Sequence, residues 1–157
     1  MRTLLFALCL AAFALISQAA VVRLAPAFSF PGVGKVRTLQ SLRGQPVVLL
    51  IANSSDERAF KRQVKYLREI YQQFASKQVV FIAAFREGEP IIRSDVPFVV
   101  ADNGPAVADA YGVHGGFNLV IIGKDGNVDY QTPKICPPER IRDVIQNSFA
   151  IQAPGRN

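Results

Sequence analysis

The chain has 157 residues and a net charge of +6, with 18 Lys and Arg against 12 Asp and Glu, and half of its residues are apolar. This length is sufficient for one domain with a substantial core, and this composition excludes a largely disordered chain. The positive charge favours weak attraction to acidic partners. No basic tract is interleaved with aromatic residues, so the sequence does not predict nucleic-acid binding.

The first 20 residues have the pattern of a secretory signal peptide. Arg2 precedes an apolar run from Leu4 to Ile16, and small residues follow up to Ala20. Because a bilayer span needs roughly 20 apolar residues, we expect cleavage after Ala19 or Ala20 and no stable membrane span afterwards. The protein would then be exported to the periplasm or the extracellular space. A signal segment retained as an N-terminal anchor is the alternative.

The next segment leads into a buried strand and a helix. Residues 35–39 predict a short strand, and residues 39–43 predict one helical turn that Gly44 ends. The continuous apolar run VVLLIA, residues 47–52, is typical of a central strand covered on both faces. Ser54 is predicted as the N-cap of the helix that follows, with Glu57 completing a capping box.

That helix carries an amphipathic pattern. Its apolar residues recur at helical spacing. They are Phe60, Val64, Leu67, Ile70, Tyr71 and Phe74. QVVFIAAF, residues 78–85, is a second buried strand, so residues 47–85 predict a parallel βαβ unit.

The second half of the chain predicts an antiparallel hairpin and two further helices. Residues 97–101 suggest an edge strand, and a short helix opens at Pro105. Residues 119–122 and 127–132 form a hairpin around Asp-Gly, and residues 137–149 form the last helix. The fold class is therefore α/β, with a mixed central sheet and helices on both faces. We expect one domain over residues 21–150 and a flexible tail over residues 151–157.

Two long segments resemble known proteins. LAPAFSFPGVGKVRTLQSLRGQPVVLLI resembles the opening of peroxiredoxins and thioredoxin-like thiol oxidoreductases. VADNGPAVADAYGVHGGFNLVIIGKDGNV resembles the later segment of the same families, in which a helix precedes a strand and a Lys-Asp-Gly hairpin. The resemblance covers most of residues 24–149 and implies a thioredoxin-like fold.

The resemblance ends where those families carry their chemistry. Their reactive cysteine lies at the start of the helix after the first buried strand, where the helix N-terminus lowers its pKa. Counted from Pro46, a Cys-x-x-Cys motif would fall on residues 56–59, which read DERA. The cis-proline of those families would fall on or next to Phe117, and no proline lies between Pro105 and Pro133. The resemblance therefore assigns no catalytic residue to this chain.

Shorter pieces resemble the DUF4174 domain, which lacks the redox cysteines as well. RQVKYLREIYQQFASKQVVFIAAF and FNLVIIGKDG carry this resemblance, with Gln63 and the run IGKDG as its marks. That domain occurs in bacterial exported proteins and in extracellular matrix proteins of the sushi-repeat and coiled-coil-80 type. The resemblance implies an exported matrix or envelope protein.

Cys136 is the only cysteine left once the signal segment, which contains Cys9, is removed. It has no second cysteine with which to form an internal disulfide or a Cys-x-x-Cys motif. One interpretation is a reactive thiol that works with an external thiol as a peroxidase or reductase. The other, which we favour, is a structural cysteine, because Pro137 and Pro138 remove backbone donors that would stabilise a thiolate.

By fold analogy, the turn between the first buried strand and its helix is the expected binding surface for a protein or peptide. Its residues, with those of the neighbouring glycine-rich loop, are Ser54, Ser55, Asp56, Glu57, Arg58, His114 and Phe117. The carboxylates of Asp56 and Glu57 could serve as a base or a metal ligand, but acids in a first helical turn more often complement the helix dipole. No histidine or third carboxylate lies nearby in sequence, so we predict neither a metal site nor a cofactor.

One face of the predicted helix is basic. It carries Arg58, Lys61, Arg62, Lys65 and Arg68. This face could bind an acidic polymer through residues such as Arg58, Arg62 and Lys65, and an ordinary solvated face is the alternative. The sequence as a whole predicts an exported, redox-inactive thioredoxin-like domain that acts as a binding or structural module.

Overall fold

The structure is a computed structural model that describes residues 23–151. The predicted signal peptide and residues 152–157 of the predicted tail lie outside the described residues. The strands are β1 (Ser29–Gly32), β2 (Lys35–Thr38), β3 (Val47–Ala52), β4 (Val80–Phe85), β5 (Phe98–Val100), β6 (Asn118–Ile122) and β7 (Val128–Thr132). The α-helices are α1 (Arg58–Phe74), α2 (Gly104–Ala110) and α3 (Pro138–Ile151), and 3₁₀ helices cover Leu39–Leu42 and Ala75–Lys77.

A five-stranded mixed sheet forms the centre of the fold. Its strand order is β5-β4-β3-β6-β7, and β1 and β2 form a separate antiparallel pair. β3, β4 and β5 run parallel, whereas β6 pairs antiparallel with both β3 and β7. The predicted βαβ unit, the edge strand and the hairpin are thus confirmed.

Helices cover the sheet on both faces because alternate residues of each central strand point in opposite directions. All six residues of β3 are buried. Val48 and Leu50 pack with Leu67 of α1 and Ile141 of α3 on one face. Leu49 belongs to the core on the other face, which α2, β1 and the first 3₁₀ helix cover. The continuous apolar run therefore reflects burial on both faces, as predicted.

The apolar stripe of α1 is confirmed with one addition. Phe60, Val64, Leu67, Ile70 and Phe74 are buried, and so is the polar side chain of Gln63. Tyr71, also predicted in the stripe, is partly buried and packs against the same core. Burying an amide side chain is costly unless it is hydrogen-bonded.

The beginning of the described chain is tied to the hairpin of β6 and β7. Leu24 forms an isolated antiparallel bridge with Asn127. The N–H of Ala25 donates to the carbonyl of Gly126 at 3.0 Å, and the N–H of Val128 donates to the carbonyl of Arg23 at 2.8 Å. Within residues 23–151, no helix combines the length and apolar character that a membrane crossing requires.

Candidate functional site

The turn that follows β3 is held by backbone hydrogen bonds from the loop after β4. The N–H of Arg86 donates to the carbonyl of Ala52 at 3.1 Å, and the N–H of Glu87 donates to the carbonyl of Asn53 at 2.9 Å. The hydroxyl of Ser55 donates to the carbonyl of Glu89 at 3.2 Å. Ser55 is buried, so its hydroxyl fastens the turn to the loop instead of facing solvent.

The predicted N-cap of α1 is wrong. Helix α1 begins at Arg58, and its N-cap is Glu57, whose side chain makes no capping bond. The Glu57 carboxylate instead reaches back and accepts from the N–H of Asn53 at 2.8 Å. Ser54 lies outside the helix, with its carbonyl accepting from the N–H of Glu57 at 3.2 Å. The bonds from the loop after β4 hold residues 53–55 in a non-helical turn, which delays the start of the helix.

Replacing Glu57 by alanine should lower the free energy of unfolding by about 1–2 kcal/mol, because the part-buried N–H of Asn53 loses its acceptor. Glu57→Gln keeps an acceptor oxygen and should cost less. Glu69→Ala, at an exposed position of the same helix, is the matched control and should change stability by less than about 0.5 kcal/mol. Urea denaturation measures all three, and equal stability of Glu57→Ala and the control would contradict this assignment.

Asp56 stands where the resemblance places a thiol, and it is already engaged in an ion pair. Its carboxylate lies 2.8 Å from the ammonium of Lys61, and both side chains are largely exposed. The hydrogen bond and charge of Lys61 lower the pKa of Asp56, and the charge of Arg93 adds to this effect. A carboxylate with a lowered pKa is a weak base, so the environment disfavours general-base chemistry at Asp56. Arg58, which opens α1, is exposed.

The glycine-rich loop before β6 lies beside this turn. Ile51 near the end of β3 pairs with Asn118 at the start of β6, so the preceding loop and the turn after β3 meet at one edge of the sheet. The structure thus brings the two predicted segments together. His114 is exposed, but Phe117 is only 5% exposed and belongs to the core of the α1 face. Phe117 therefore supports the loop from inside.

Two side chains at the same edge carry three buried polar atoms that have no hydrogen-bond partner within residues 23–151. The Nε and Nη2 atoms of Arg86 are buried and unpaired, while its Nη1 atom lies 3.9 Å from the carboxylate of Asp109. The Oδ1 atom of Asn118 is also buried and unpaired. Unsatisfied buried polar groups are rare in folded proteins, and they require an explanation such as a bound water, an ion or a functional role. Sequence reasoning missed both residues, since nothing local marks them.

A groove lies on the outer side of this turn, between α1 and the loop that joins β4 to β5. It has a volume of about 390 Å³. Its lining residues are Ser55, Asp56, Phe60, Lys61, Val64, Lys65, Arg68, Glu89, Ile91, Ile92 and Arg93. The sequence offers five of these as candidate binding residues, namely Ser55, Asp56, Lys61, Lys65 and Arg68. The adjacent isoleucines in an otherwise polar loop were the available signal for the groove.

Cys136 is buried and fixed by a polar side chain from α1. The side-chain amide of Gln63 donates to the carbonyl of Cys136 at 3.0 Å, and the N–H of Cys136 donates back to the Gln63 amide oxygen at 2.7 Å. Cys136 is 1% exposed. Burial raises the pKa of its thiol, although the Tyr130 hydroxyl and the Arg140 guanidinium act in the opposite direction. This environment disfavours the thiolate that thiol chemistry requires.

Residues 23–151 contain no group of three or more His, Cys, Asp or Glu side chains placed to hold a metal ion.

The turn after β3, the loop before β6 and the groove beside them form the candidate site. The site presents the ion-paired carboxylate of Asp56, cations without an ion pair in the described part of the chain, such as Lys65 and Arg93, and an apolar floor. Such a surface is suited to binding.

A mixed five-stranded sheet whose central strand leads through a turn into a helix, with helices on both faces, defines a thioredoxin-like protein. The family model of the AhpC/TSA family matches residues 21–131, and the chain belongs to that family. The thioredoxin-like fold and the likeness to peroxiredoxins predicted from the sequence are confirmed. The DUF4174 resemblance stays a prediction.

Solved structures with the same fold include a thiol:disulfide interchange protein, a peroxidoxin and a thioredoxin. A thiol:disulfide interchange protein of the thioredoxin family from Chlorobium tepidum has a TM-score of 0.64 and 18% identity, over 83% of this chain and 98% of its own. Peroxidoxin BcpB from Mycobacterium tuberculosis has a TM-score of 0.59 and 16% identity, over 84% and 97%. The exposed lipoprotein thioredoxin Etrx1 from Streptococcus pneumoniae has a TM-score of 0.58 and 18% identity, over 78% and 99%. No curated protein matches the chain in sequence. At these identities, the likeness concerns the fold alone.

Proposed function

We propose that this protein is an exported thioredoxin-like domain that binds a partner and carries out no dithiol or peroxidatic chemistry. The observation that supports this most directly is the residue found at the position where the resembling families carry their reactive thiol. A carboxylate, Asp56, stands there in an ion pair with Lys61. Cys136, the one cysteine among residues 23–151, is buried, and burial raises the pKa of its thiol. The fold is kept while the groups that would transfer electrons are replaced or enclosed.

The partner surface in this proposal is the exposed part of the edge formed by the turn after β3 and the loop before β6. Asp56, Arg58 and His114 present charged or polar groups to solvent there. Ser55 and Phe117 are buried, so they shape the surface from below. A protein or peptide that docks at this edge would contact the exposed groups first.

The proposal predicts no cysteine-dependent turnover. Peroxide consumption in the presence of dithiothreitol and reduction of insulin should both stay at the rate of the uncatalysed reaction for the wild type. Cys136→Ser should give the same rates. The alternative function is a peroxidase or reductase that uses Cys136 with an external thiol, and turnover that disappears in Cys136→Ser would establish it and overturn the proposal.

The burial of Cys136 gives a second measurement that does not depend on guessing a substrate. In the folded protein, the thiol should react with a disulfide reagent such as DTNB at least about a hundredfold more slowly than in urea, because the buried thiol has a raised pKa and little access. The difference should persist from pH 7 to pH 9. Equal rates with and without urea would contradict the buried environment.

Export is part of the proposal and is supported by the signal-peptide pattern of the first 20 residues. The likeness to the exposed lipoprotein thioredoxin of Streptococcus pneumoniae also supports export. Cell fractionation with N-terminal sequencing tests it. A mature N-terminus near Val21 in the envelope or the medium is the expected result, and an intact N-terminus in the cytoplasm would contradict export.

A second candidate function is binding of an acidic polymer by the basic face of α1. Arg58, Arg62 and Lys65 are exposed, and none of them lies within 4.0 Å of a carboxylate in the described part of the chain. Salt-sensitive retention on heparin that is lost in the double variant Arg62→Glu with Lys65→Glu would support it. Lys35→Glu with Lys134→Glu, which changes the charge equally at exposed positions elsewhere, is the control.

A further inference from the structure

The groove beside the turn has an apolar floor and a cationic rim, and the partner surface proposed above does not include either of them. One wall is α1, which contributes the buried side chains of Phe60 and Val64 to the floor. The other wall is the loop between β4 and β5. There Ile92 packs against the core, and Ile91 is 63% exposed at the lip of the groove. Because Phe60 and Val64 are almost fully buried, the apolar surface left in water here is mainly that of Ile91, and a ligand can cover it.

The rim of the groove is cationic. Lys61, Lys65 and Arg68 follow one another along the α1 wall, and Arg93 lies on the loop wall. Asp56 neutralises Lys61, and Asp95 neutralises Arg68 at 2.6 Å. Lys65 and Arg93, one on each wall, have no carboxylate within 4.0 Å among residues 23–151. The two walls thus each offer one cation to a ligand.

The charge balance fits a ligand with one negative charge. The lining carries four cations and the carboxylates of Asp56 and Glu89, and Asp95 pairs with Arg68 from outside the lining, which leaves an excess of one positive charge. The volume of about 390 Å³ lies in the range of small-molecule sites. The segment of α1 from Phe60 to Arg68 is about 12 Å long at a rise of 1.5 Å per residue, which is the length of a medium alkyl chain.

A helical wall argues against an extended peptide as the occupant. Peptides that bind in extended form gain affinity from a ladder of backbone hydrogen bonds to a sheet edge. The backbone groups within α1 are already used inside the helix. The groove therefore offers apolar contact and two cations without such a ladder.

We propose that this groove binds a small amphipathic carboxylate, with its aliphatic chain on Phe60, Val64, Ile91 and Ile92 and its carboxylate between Lys65 and Arg93. The site does not depend on the redox inactivity of the domain. Failure of the binding experiment below would leave the thiol assays and their interpretation unchanged.

Isothermal titration calorimetry with decanoate, kept below its micelle concentration, tests the proposal on the purified protein. Decanoate should bind saturably with one site per chain. Decanol, which has the chain without the charge, and acetate, which has the charge without the chain, should each bind at least about tenfold more weakly. No saturable decanoate binding, or equal affinity for decanol, would overturn the proposal.

Variants locate the site. Lys65→Glu with Arg93→Glu should weaken decanoate binding at least about tenfold while changing decanol binding little, because only the charged group loses its partners. Ile91→Ser, at an exposed position that should not affect folding, should weaken both ligands. Arg62→Glu with Lys134→Glu makes the same change of charge outside the groove and should leave decanoate binding as in the wild type.

Circular dichroism and thermal unfolding of each variant separate a lost site from a lost fold. Methyl resonances of Ile91 and Ile92 should shift on titration of the wild type with decanoate, which is a readout that does not require any variant. A protein that binds an acidic peptide at these methyls but no decanoate would overturn the proposal in favour of a macromolecular partner. Unchanged decanoate affinity in folded Lys65→Glu with Arg93→Glu would overturn it as well.

Discussion

Gln63→Leu should lower the free energy of unfolding by about 2–4 kcal/mol, although it replaces a polar residue in an apolar core by an apolar one. The Gln63 amide satisfies both the carbonyl and the N–H of Cys136 in a reciprocal pair, and all of these groups are buried. Leucine leaves both backbone groups unpaired, and each unsatisfied group costs about 1–3 kcal/mol. Part of that cost is offset by the greater apolar area that leucine buries.

Urea denaturation of Gln63→Leu should be compared with Gln72→Leu, at an exposed position of the same helix. The control should change stability by less than about 0.5 kcal/mol.

Gln63→Glu adds a pH test, because a protonated carboxyl can donate to the Cys136 carbonyl and accept from its N–H, whereas a carboxylate cannot donate. Burial raises the pKa of such a carboxyl in the folded state, so the folded chain binds more protons than the unfolded chain. Relative to the wild type, the variant should therefore be less destabilised at pH 5 than at pH 8. Wild-type stability in Gln63→Leu would show that the amide pair contributes nothing.

The second large effect is expected at the start of α2. A Cβ atom built on Gly104 would lie 1.8 Å from the carbonyl oxygen of Phe85, which is far inside van der Waals contact. Since the obstacle is backbone of β4, no side chain can rotate away. Gly104→Ala must push α2 off the sheet, which withdraws Val107 and Ala108 from the core, and it should cost about 3 kcal/mol or more.

Gly115→Ala is the matched control for this substitution. A Cβ atom at Gly115 meets nothing within 4 Å, and its φ does not require glycine. Its stability should stay within about 0.5 kcal/mol of the wild type. If urea denaturation gave both alanine variants equal stability, the close approach of α2 to β4 would be wrong.

Strand and helix positions could be predicted from sequence because their signals are local. The run VVLLIA is buried on both faces and lacks polar residues for that reason, and the stripe from Phe60 to Phe74 repeats with the helical period. The Asp-Gly pair identified the hairpin in the same way. These patterns specify an element without reference to the rest of the chain, and together they were sufficient for the fold.

The details of the site depend on contacts between distant segments, which local patterns do not encode. Ser54 and Glu57 match a capping box, but bonds from the loop after β4 hold the turn open and move the helix start to Arg58. In the sequence, Gln63 stands out only through the DUF4174 resemblance, because its partner lies 73 residues away. The groove requires the path of the loop that carries Ile91, and no sequence period describes that path.

The reciprocal pair between Gln63 and Cys136 also makes the thiol a natural probe of native-state opening. A reagent reaches Cys136 only when the contact between α1 and the segment before α3 separates, so the labelling rate at fixed pH measures the free energy of that separation. If that free energy equals the value from urea denaturation, the protein opens only as a whole. If it is lower, the contact between α1 and the segment before α3 opens without global unfolding, and the domain contains at least one unit that unfolds separately from the rest.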